Sequence, residues 1–145
     1  MPVAKTTVPQ PRVRLLARLL LLLLLPAAAL AMSPVATISQ ADLLTRLTRQ
    51  DLIVIDVRSI DEYAAGHIAG AINIPHDQLA NRAGELPRDH EVEIALYCRS
   101  GRRSVLALEW LVSQGYRHLF HIEGDFLAWQ AAGQPVVPGP EVTAR

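Results

Sequence analysis

The segment from Leu52 to Val57 constrains the fold more than any other part of the sequence. It reads LIVIDV, so it is almost continuously apolar, rich in β-branched residues and too short for a helix. A strand of this composition is buried on both faces, which is typical of the centre of a parallel sheet. The segment therefore predicts a central parallel strand.

Extended and helical patterns alternate along the rest of the chain. Extended segments are predicted at 34–38, 71–74, 94–97 and 119–122. Helices are predicted after Ser39, over 61–65, after the loop at Cys98 and after Gly124. This alternation predicts an α/β fold, a mainly parallel five-stranded sheet with helices on both faces. In a chain of 145 residues without internal repeats we expect one such domain.

Cys98 is the only cysteine, and it lies where a predicted strand gives way to a predicted helix. The next six residues supply three arginines, a glycine and two hydroxyls: Arg99, Ser100, Gly101, Arg102, Arg103 and Ser104. A turn of this composition at a helix N-terminus directs N–H groups and guanidinium donors at one point, which favours an anion. We expect the helix dipole and the arginines to stabilise the Cys98 thiolate. The loop therefore predicts a reactive cysteine, since an inert thiol prefers apolar neighbours.

Residues 1–31 are expected to be a secretory signal peptide. Lys5 and three arginines precede a leucine run at 19–25, and Ala29-Leu30-Ala31 forms a small-x-small site, so we expect cleavage after Ala31. The apolar stretch is shorter than the roughly 20 residues that cross a bilayer, although an uncleaved anchor is the alternative. We expect a periplasmic or secreted protein with no stable membrane span after signal cleavage.

From Met32 onward the chain has ten arginines, no lysine and 14 acidic residues, a net charge of −4 with histidine neutral. Nucleic-acid binding favours a broad basic face, so we expect no nucleic-acid partner. Arginines gathered near Cys98 instead focus positive potential at one pocket. The histidines lack metal-ligand spacing, so no metal is expected and they are predicted to be surface or packing residues: His76, His90, His118 and His121.

Several further motifs follow one another along the chain. They are Asp56-Val57-Arg58, Glu62-Tyr63, Gly66-His67-Ile68, the run from Gly70 to Pro75, the Cys98 loop, Glu123-Gly124 with Trp129, and Gly133-Gln134-Pro135. Together they resemble a single-domain rhodanese of the thiosulfate sulfurtransferase family, and the export signal makes the chain similar to the small periplasmic phage-shock type. The resemblance covers about residues 35–137, the expected rhodanese domain. It implies the rhodanese-like fold, a cysteine that carries sulfane sulfur as a persulfide, and no metal or organic cofactor.

The chain departs from the rhodanese pattern at Asp125, where the family usually has a second glycine. We expect Asp125 to cap the last helix, so that the fold survives, and its charge to affect the choice of sulfur acceptor.

Sulfur transfer from thiosulfate makes definite demands on a site. The donor is a dianion, so a thiolate that attacks its outer sulfur needs positive charge and N–H donors nearby. We assign Cys98 as the nucleophile and residues 99–104 as the substrate-binding loop, with Arg102 and Arg103 as the leading contacts. The expected partners are a small-molecule sulfur donor and a thiol or cyanide acceptor, and we expect a monomer.

Three residues are expected to support the site structurally. Asp56 and Arg58 are predicted to form an internal ion pair or hydrogen-bond framework at the carboxyl end of the central strand, where ligands collect in open α/β sheets, with direct contact to substrate as the alternative. Glu62 is predicted to pair with Arg58 in the same framework.

Other functions remain as alternatives at this point. Cysteine phosphatases and arsenate reductases have a longer loop, whereas four residues separate Cys98 from Arg103, a spacing that suits one sulfur atom better than a phosphate. A dithiol oxidoreductase needs a second cysteine to resolve a mixed disulfide. The main competitor is a rhodanese-like module that senses sulfide or binds a partner with little turnover.

Overall fold

The computed structural model describes residues 1–2 and 35–139, so the predicted signal peptide, beyond its first two residues, lies outside the described residues. Residues 35–139 contain the following strands and helices. They are β1 (Val35–Ile38), α1 (Gln40–Arg49), β2 (Ile53–Asp56), α2 (Ile60–Ala65), β3 (Ile72–Asn73), a 3₁₀ turn (Ala83–Glu85), β4 (Glu93–Tyr97), α3 (Arg102–Ser113), β5 (His118–Ile122) and α4 (Asp125–Ala131). None of the described helices is long and apolar enough to cross a membrane.

The sheet has five strands in the order β1-β5-β4-β2-β3, and every neighbouring pair is parallel. This confirms the predicted α/β fold, with the apolar segment at β2 paired to β4 on one side and β3 on the other. Because the strands are parallel, their carboxyl ends lie at one edge of the sheet. That edge brings the ends of β2, β4 and β5 together, and Cys98 follows β4 directly.

The core has two layers, one on each face of the sheet. Alternate residues of β4 enter different layers, Leu96 on one face and Tyr97 on the other, as expected for a strand buried on both sides. Leu111 of α3 packs in the first layer, whereas Leu43 of α1 and Trp129 of α4 pack in the second. The prediction that helices cover both faces is therefore confirmed.

The starts of three helices show how local sequence sets their positions. Ser39 caps α1, as predicted, by accepting a hydrogen bond from the Asp42 amide. Ser59 and Glu62 form a capping box at the start of α2. The prediction that Asp125 caps α4 is wrong, because Gly124 occupies the cap position with a φ of 70°. Asp125 is instead the first helical residue, and its carboxylate is directed elsewhere.

Candidate active site

The Cys98 sulfur lies at the N-terminus of α3, at the carboxyl edge of the sheet. Gly101 caps this helix with a φ of 105°, and its N–H donates to Cys98 Sγ over 3.1 Å. Ser104 Oγ is 3.4 Å from the same sulfur. Cys98 is only 1% exposed and packs in the apolar layer under α3, so its polar contacts come from the loop itself. A helix N-terminus with an N–H aimed at sulfur stabilises a thiolate.

The three loop arginines have different environments. Arg99 and Arg102 are exposed, as is Ser100, and within the described residues neither of these two arginine side chains has an ion-pair partner. Arg103 forms a bidentate ion pair with Glu62, with N–O distances of 2.6 and 2.9 Å. This hydrogen-bonded carboxylate raises the pKa of Arg103, and the nearby Cys98 adds to the effect. Arg103, expected as a leading substrate contact, is therefore largely neutralised by a neighbour.

Glu62 does not pair with Arg58, so that prediction is wrong. Its carboxylate accepts from the Ser59 amide over 3.1 Å and binds the Arg103 guanidinium. The hydrogen bond from Arg103 is the main cause that lowers the pKa of Glu62 to about 2. The physical reason is the capping box, which turns the Glu62 side chain back toward the start of α2 and within reach of α3.

Asp56 and Arg58 form the expected ion pair, and it is buried. Arg58 Nη2 lies 2.6 Å from Asp56 Oδ2 and 2.7 Å from the Gly66 carbonyl oxygen, to which it also donates. The two residues are 0% and 3% exposed. The guanidinium carbon lies 3.8 Å from the centre of the Phe126 ring, and the Phe126 amide donates to the Cys98 carbonyl. The pair therefore links the end of β2 to the backbone that holds the cysteine.

Asp125 and His121 contact the loop, although Asp125 was expected to cap α4 and to affect only the choice of acceptor. Asp125 Oδ1 accepts from the Cys98 amide and from Ser104 Oγ, each over 2.7 Å. Asp125 Oδ2 lies 2.8 Å from Nε2 of His121, which was expected to be a surface or packing residue. Asp125 is 3% exposed and has a φ of 53°. The departure from the family's usual glycine was the one sequence signal that could have indicated Asp125.

A pocket of about 180 Å³ opens beside the loop. Its lining includes Arg58, Glu62, Arg99, Phe126 and Gln130. It therefore combines charged groups of both signs with one aromatic face.

Comparisons with known proteins agree with this fold. The chain is 38% identical to a sulfurtransferase from Allochromatium vinosum over 88 residues, which are 61% of this chain and 80% of that protein. It is 33% identical to the thiosulfate sulfurtransferase GlpE from Pseudoalteromonas translucida over 95 residues, covering 66% and 89% of the two chains. The crystal structure of a rhodanese-related protein from Thermoplasma volcanium superposes with a TM-score of 0.63 at 35% identity, covering 71% of this chain and 98% of that one.

Some curated relatives are longer. The matched region covers 80% of this chain and 51% of an HTH-type transcriptional regulator from Mycobacterium tuberculosis, at 39% identity. The chain therefore spans about half the length of that relative.

The model of the rhodanese-like domain matches residues 39–132, well over half of the chain. The matched region extends from the cap of α1 through the last helix and includes Cys98 with its whole loop. The chain belongs to the rhodanese-like domain family.

Proposed function

We propose that this protein is an exported sulfurtransferase that moves sulfane sulfur from a donor such as thiosulfate to cyanide or a thiol. Membership of the rhodanese-like family and relatives named as sulfurtransferases support sulfur transfer in general. The observation that carries the proposal is the Gly101 N–H, which points at Cys98 Sγ from 3.1 Å at the start of α3. A sulfur held in this way is a nucleophile in an anion-binding turn.

Cys98 would be loaded in the first half-reaction. Its thiolate attacks the outer sulfur of thiosulfate, so an S–S bond forms on Cys98 while the donor's own S–S bond breaks and sulfite leaves with the electron pair. Both the incoming dianion and the departing sulfite need positive charge. The exposed guanidinium groups of Arg99 and Arg102 are suited to this role, because they are not engaged in ion pairs within the described residues.

The second half-reaction would return Cys98 to its starting state. Cyanide, or a thiol in its thiolate form, attacks the terminal sulfur of the persulfide, and the Cys98 thiolate leaves. The Gly101 N–H that contacts Sγ stabilises this leaving group. We expect the acceptor to bind in the pocket that Arg99 lines, next to the loop. Because both steps use one sulfur atom, the kinetics should be ping-pong.

The test is the intact mass of the full chain after incubation with thiosulfate. We expect a gain equal to one sulfur atom that is lost when cyanide is added, with release of thiocyanate. Cys98→Ser should show neither the gain nor the release, whereas Ser113→Ala at the exposed end of α3 should behave as wild type. Thiocyanate release by the serine variant would contradict the assignment of the nucleophile.

A binding module with little turnover is the second candidate. It is favoured by the 1% exposure of Cys98 and by the relative named as a transcriptional regulator, of which the matched region is about half. Absence of a sulfur adduct with thiosulfate, combined with an unchanged fold, would support this candidate over the enzyme.

Export is part of the proposal and rests on the basic segment, leucine run and small-x-small site within residues 1–31. Cell fractionation followed by sequencing of the mature N-terminus should locate the protein outside the cytoplasm and begin the chain at Met32. A cytoplasmic protein that retains Met1 would contradict it.

A further inference from the structure

The buried carboxylate of Asp125 lies directly behind the cysteine loop. It is 3% exposed, and its Oδ1 accepts two hydrogen bonds of 2.7 Å, from the Cys98 amide and from Ser104 Oγ. The backbone there has a φ of 53°, a region that aspartate tolerates better than most residues. Its position therefore brings a negative charge one hydrogen-bonded residue away from the sulfur.

Ser104 has four hydrogen-bonding neighbours but only one hydroxyl proton to donate. Its Oγ lies 2.7 Å from Asp125 Oδ1, 3.1 Å from the Gly101 carbonyl oxygen, 3.2 Å from His121 Nε2 and 3.4 Å from Cys98 Sγ. The carboxylate oxygen is the closest of the four acceptors and belongs to the strongest acceptor type among them, so it takes the proton. Ser104 then presents oxygen lone pairs to the sulfur, and lone pairs favour a thiol S–H over a thiolate.

We infer that Asp125 is a positioning residue that restrains ionisation of Cys98, by binding the Ser104 proton that would otherwise be donated to Cys98 Sγ. Asp125 would thus keep the resting cysteine more protonated than the loop arginines and the Gly101 amide alone would allow. The inference rests on the proposed function, since it gives Asp125 this role only if Cys98 is the reacting group.

The charged and titratable groups around Cys98 come from its own loop and from three elements. Arg99 lies in the loop, Arg102 and Arg103 begin α3, His121 belongs to β5 and Asp125 to α4. Arg103 is held by Glu62, so the substitutions below leave it in place. His121 contacts Asp125 Oδ2, the oxygen that does not bind Ser104, and therefore serves as a test of the carboxylate from its other side.

The experiment measures the thiolate fraction of the resting full chain from its ultraviolet absorbance at mildly acidic pH, with the Cys98→Ser protein subtracted. The signal belongs to one residue, because the chain has a single cysteine. Asp125→Asn keeps the shape but replaces a charged acceptor with a weaker neutral one, and we expect the ratio of thiolate to thiol to rise about tenfold as the Ser104 proton becomes available to Cys98 Sγ. Asp125→Gly, which suits the positive φ, should raise the ratio in the same direction and serves if the asparagine variant fails to fold.

Ser104→Ala separates this mechanism from a merely structural role. In the wild-type background we expect Ser104→Ala to change the ratio of thiolate to thiol by less than about twofold, because the hydroxyl proton is already bound to Asp125. In the Asp125→Asn background Ser104→Ala should remove at least about half of the rise in that ratio. A gain that is independent of Ser104, or no gain in either Asp125 variant, would overturn the inference.

His121→Gln probes the same network from its other side, because it leaves the carboxylate and Ser104 in place but removes a ring whose Nε2 lies 2.8 Å from Asp125 Oδ2 and 3.2 Å from Ser104 Oγ. We expect no rise in the thiolate ratio, and a rise as large as that of Asp125→Asn would also overturn the inference. No sulfur donor is present in these measurements, so their outcome is separate from the persulfide test of the proposed function.

Discussion

The ion pair between Glu62 and Arg103 predicts a defined change in stability when its charge is removed. Glu62→Gln keeps a residue that can complete the capping box with Ser59, so the substitution removes mainly the charge. The pKa of Glu62 falls from 4.5 to about 2 on folding, a shift that corresponds to about 3 kcal/mol. The Glu62 side chain is 30% exposed, and screening by solvent reduces the expected loss to about 1–2 kcal/mol at neutral pH.

The pH dependence gives this prediction its sign. The pKa of Glu62 is lower in the folded protein, so its stabilisation is fully present above about 4.5 and is lost as the pH falls toward about 2. Urea unfolding of both proteins at a series of pH values should show a constant difference from neutral pH down to about pH 5, and convergence below it. A difference that persists unchanged near pH 2, or no difference at neutral pH, would refute the reasoning.

A surface pair supplies the control for this experiment. Arg82 and Glu85 form an ion pair three residues apart, 2.6 Å at its shortest, with the Glu85 side chain 52% exposed. Glu85→Gln removes the same kind of charge from a solvated position, so we expect almost no change in the urea midpoint.

The remaining predictions concern the fold around the site. Asp56→Asn leaves the Arg58 guanidinium buried without its counter-charge, so urea unfolding should show a loss of about 3–5 kcal/mol, and a loss below about 1 kcal/mol would contradict the buried pair. Gly124→Ala should cost more than about 1 kcal/mol, because φ is +70° and an added Cβ would lie 2.3 Å from Ala128 Cβ. A Cβ added at Gly84 would meet nothing within 4 Å, so Gly84→Ala should change the free energy of unfolding, measured by thermal unfolding, by less than about 0.5 kcal/mol. Equal effects of the two glycine substitutions would show that the contact with Ala128 does not matter.

The fold was predictable because its signals are local. An apolar segment between polar neighbours identified β2, and Ser39 marked the start of α1 where the structure has it. The position of the loop after Cys98 was also predictable from local sequence, because the strand before it, Gly101 and the helix after it determine the direction of its amides. The partners of the loop come from distant parts of the chain, 41 residues from Glu62 to Arg103 and 27 from Cys98 to Asp125, and no local pattern reports such pairings.

Asp125 shows why composition alone could not rank the charges of the site. From sequence, three arginines near one cysteine indicate a strongly positive pocket. In the structure Glu62 neutralises Arg103, and Asp125 adds a buried negative charge behind Ser104, so much of the positive charge is offset. The groups that remain to favour negative charge at the loop are the Gly101 amide, whose direction is fixed by the helix, and the exposed residues Arg99 and Arg102.

In the proposed sulfur transfer these groups would have two separate tasks. The Gly101 amide, held by the backbone, would contact Cys98 Sγ throughout the proposed reaction, whereas the exposed arginines Arg99 and Arg102 would act on an anionic donor only while it is bound. Substitution of Arg102 should therefore weaken binding of an anionic donor more than it changes the resting thiol, whereas substitution of Asp125 should change the resting thiol first. Under the proposed function, the side chains closest to the sulfur and those closest to solvent would therefore control different steps, although the sequence places them within one short loop and one helix start.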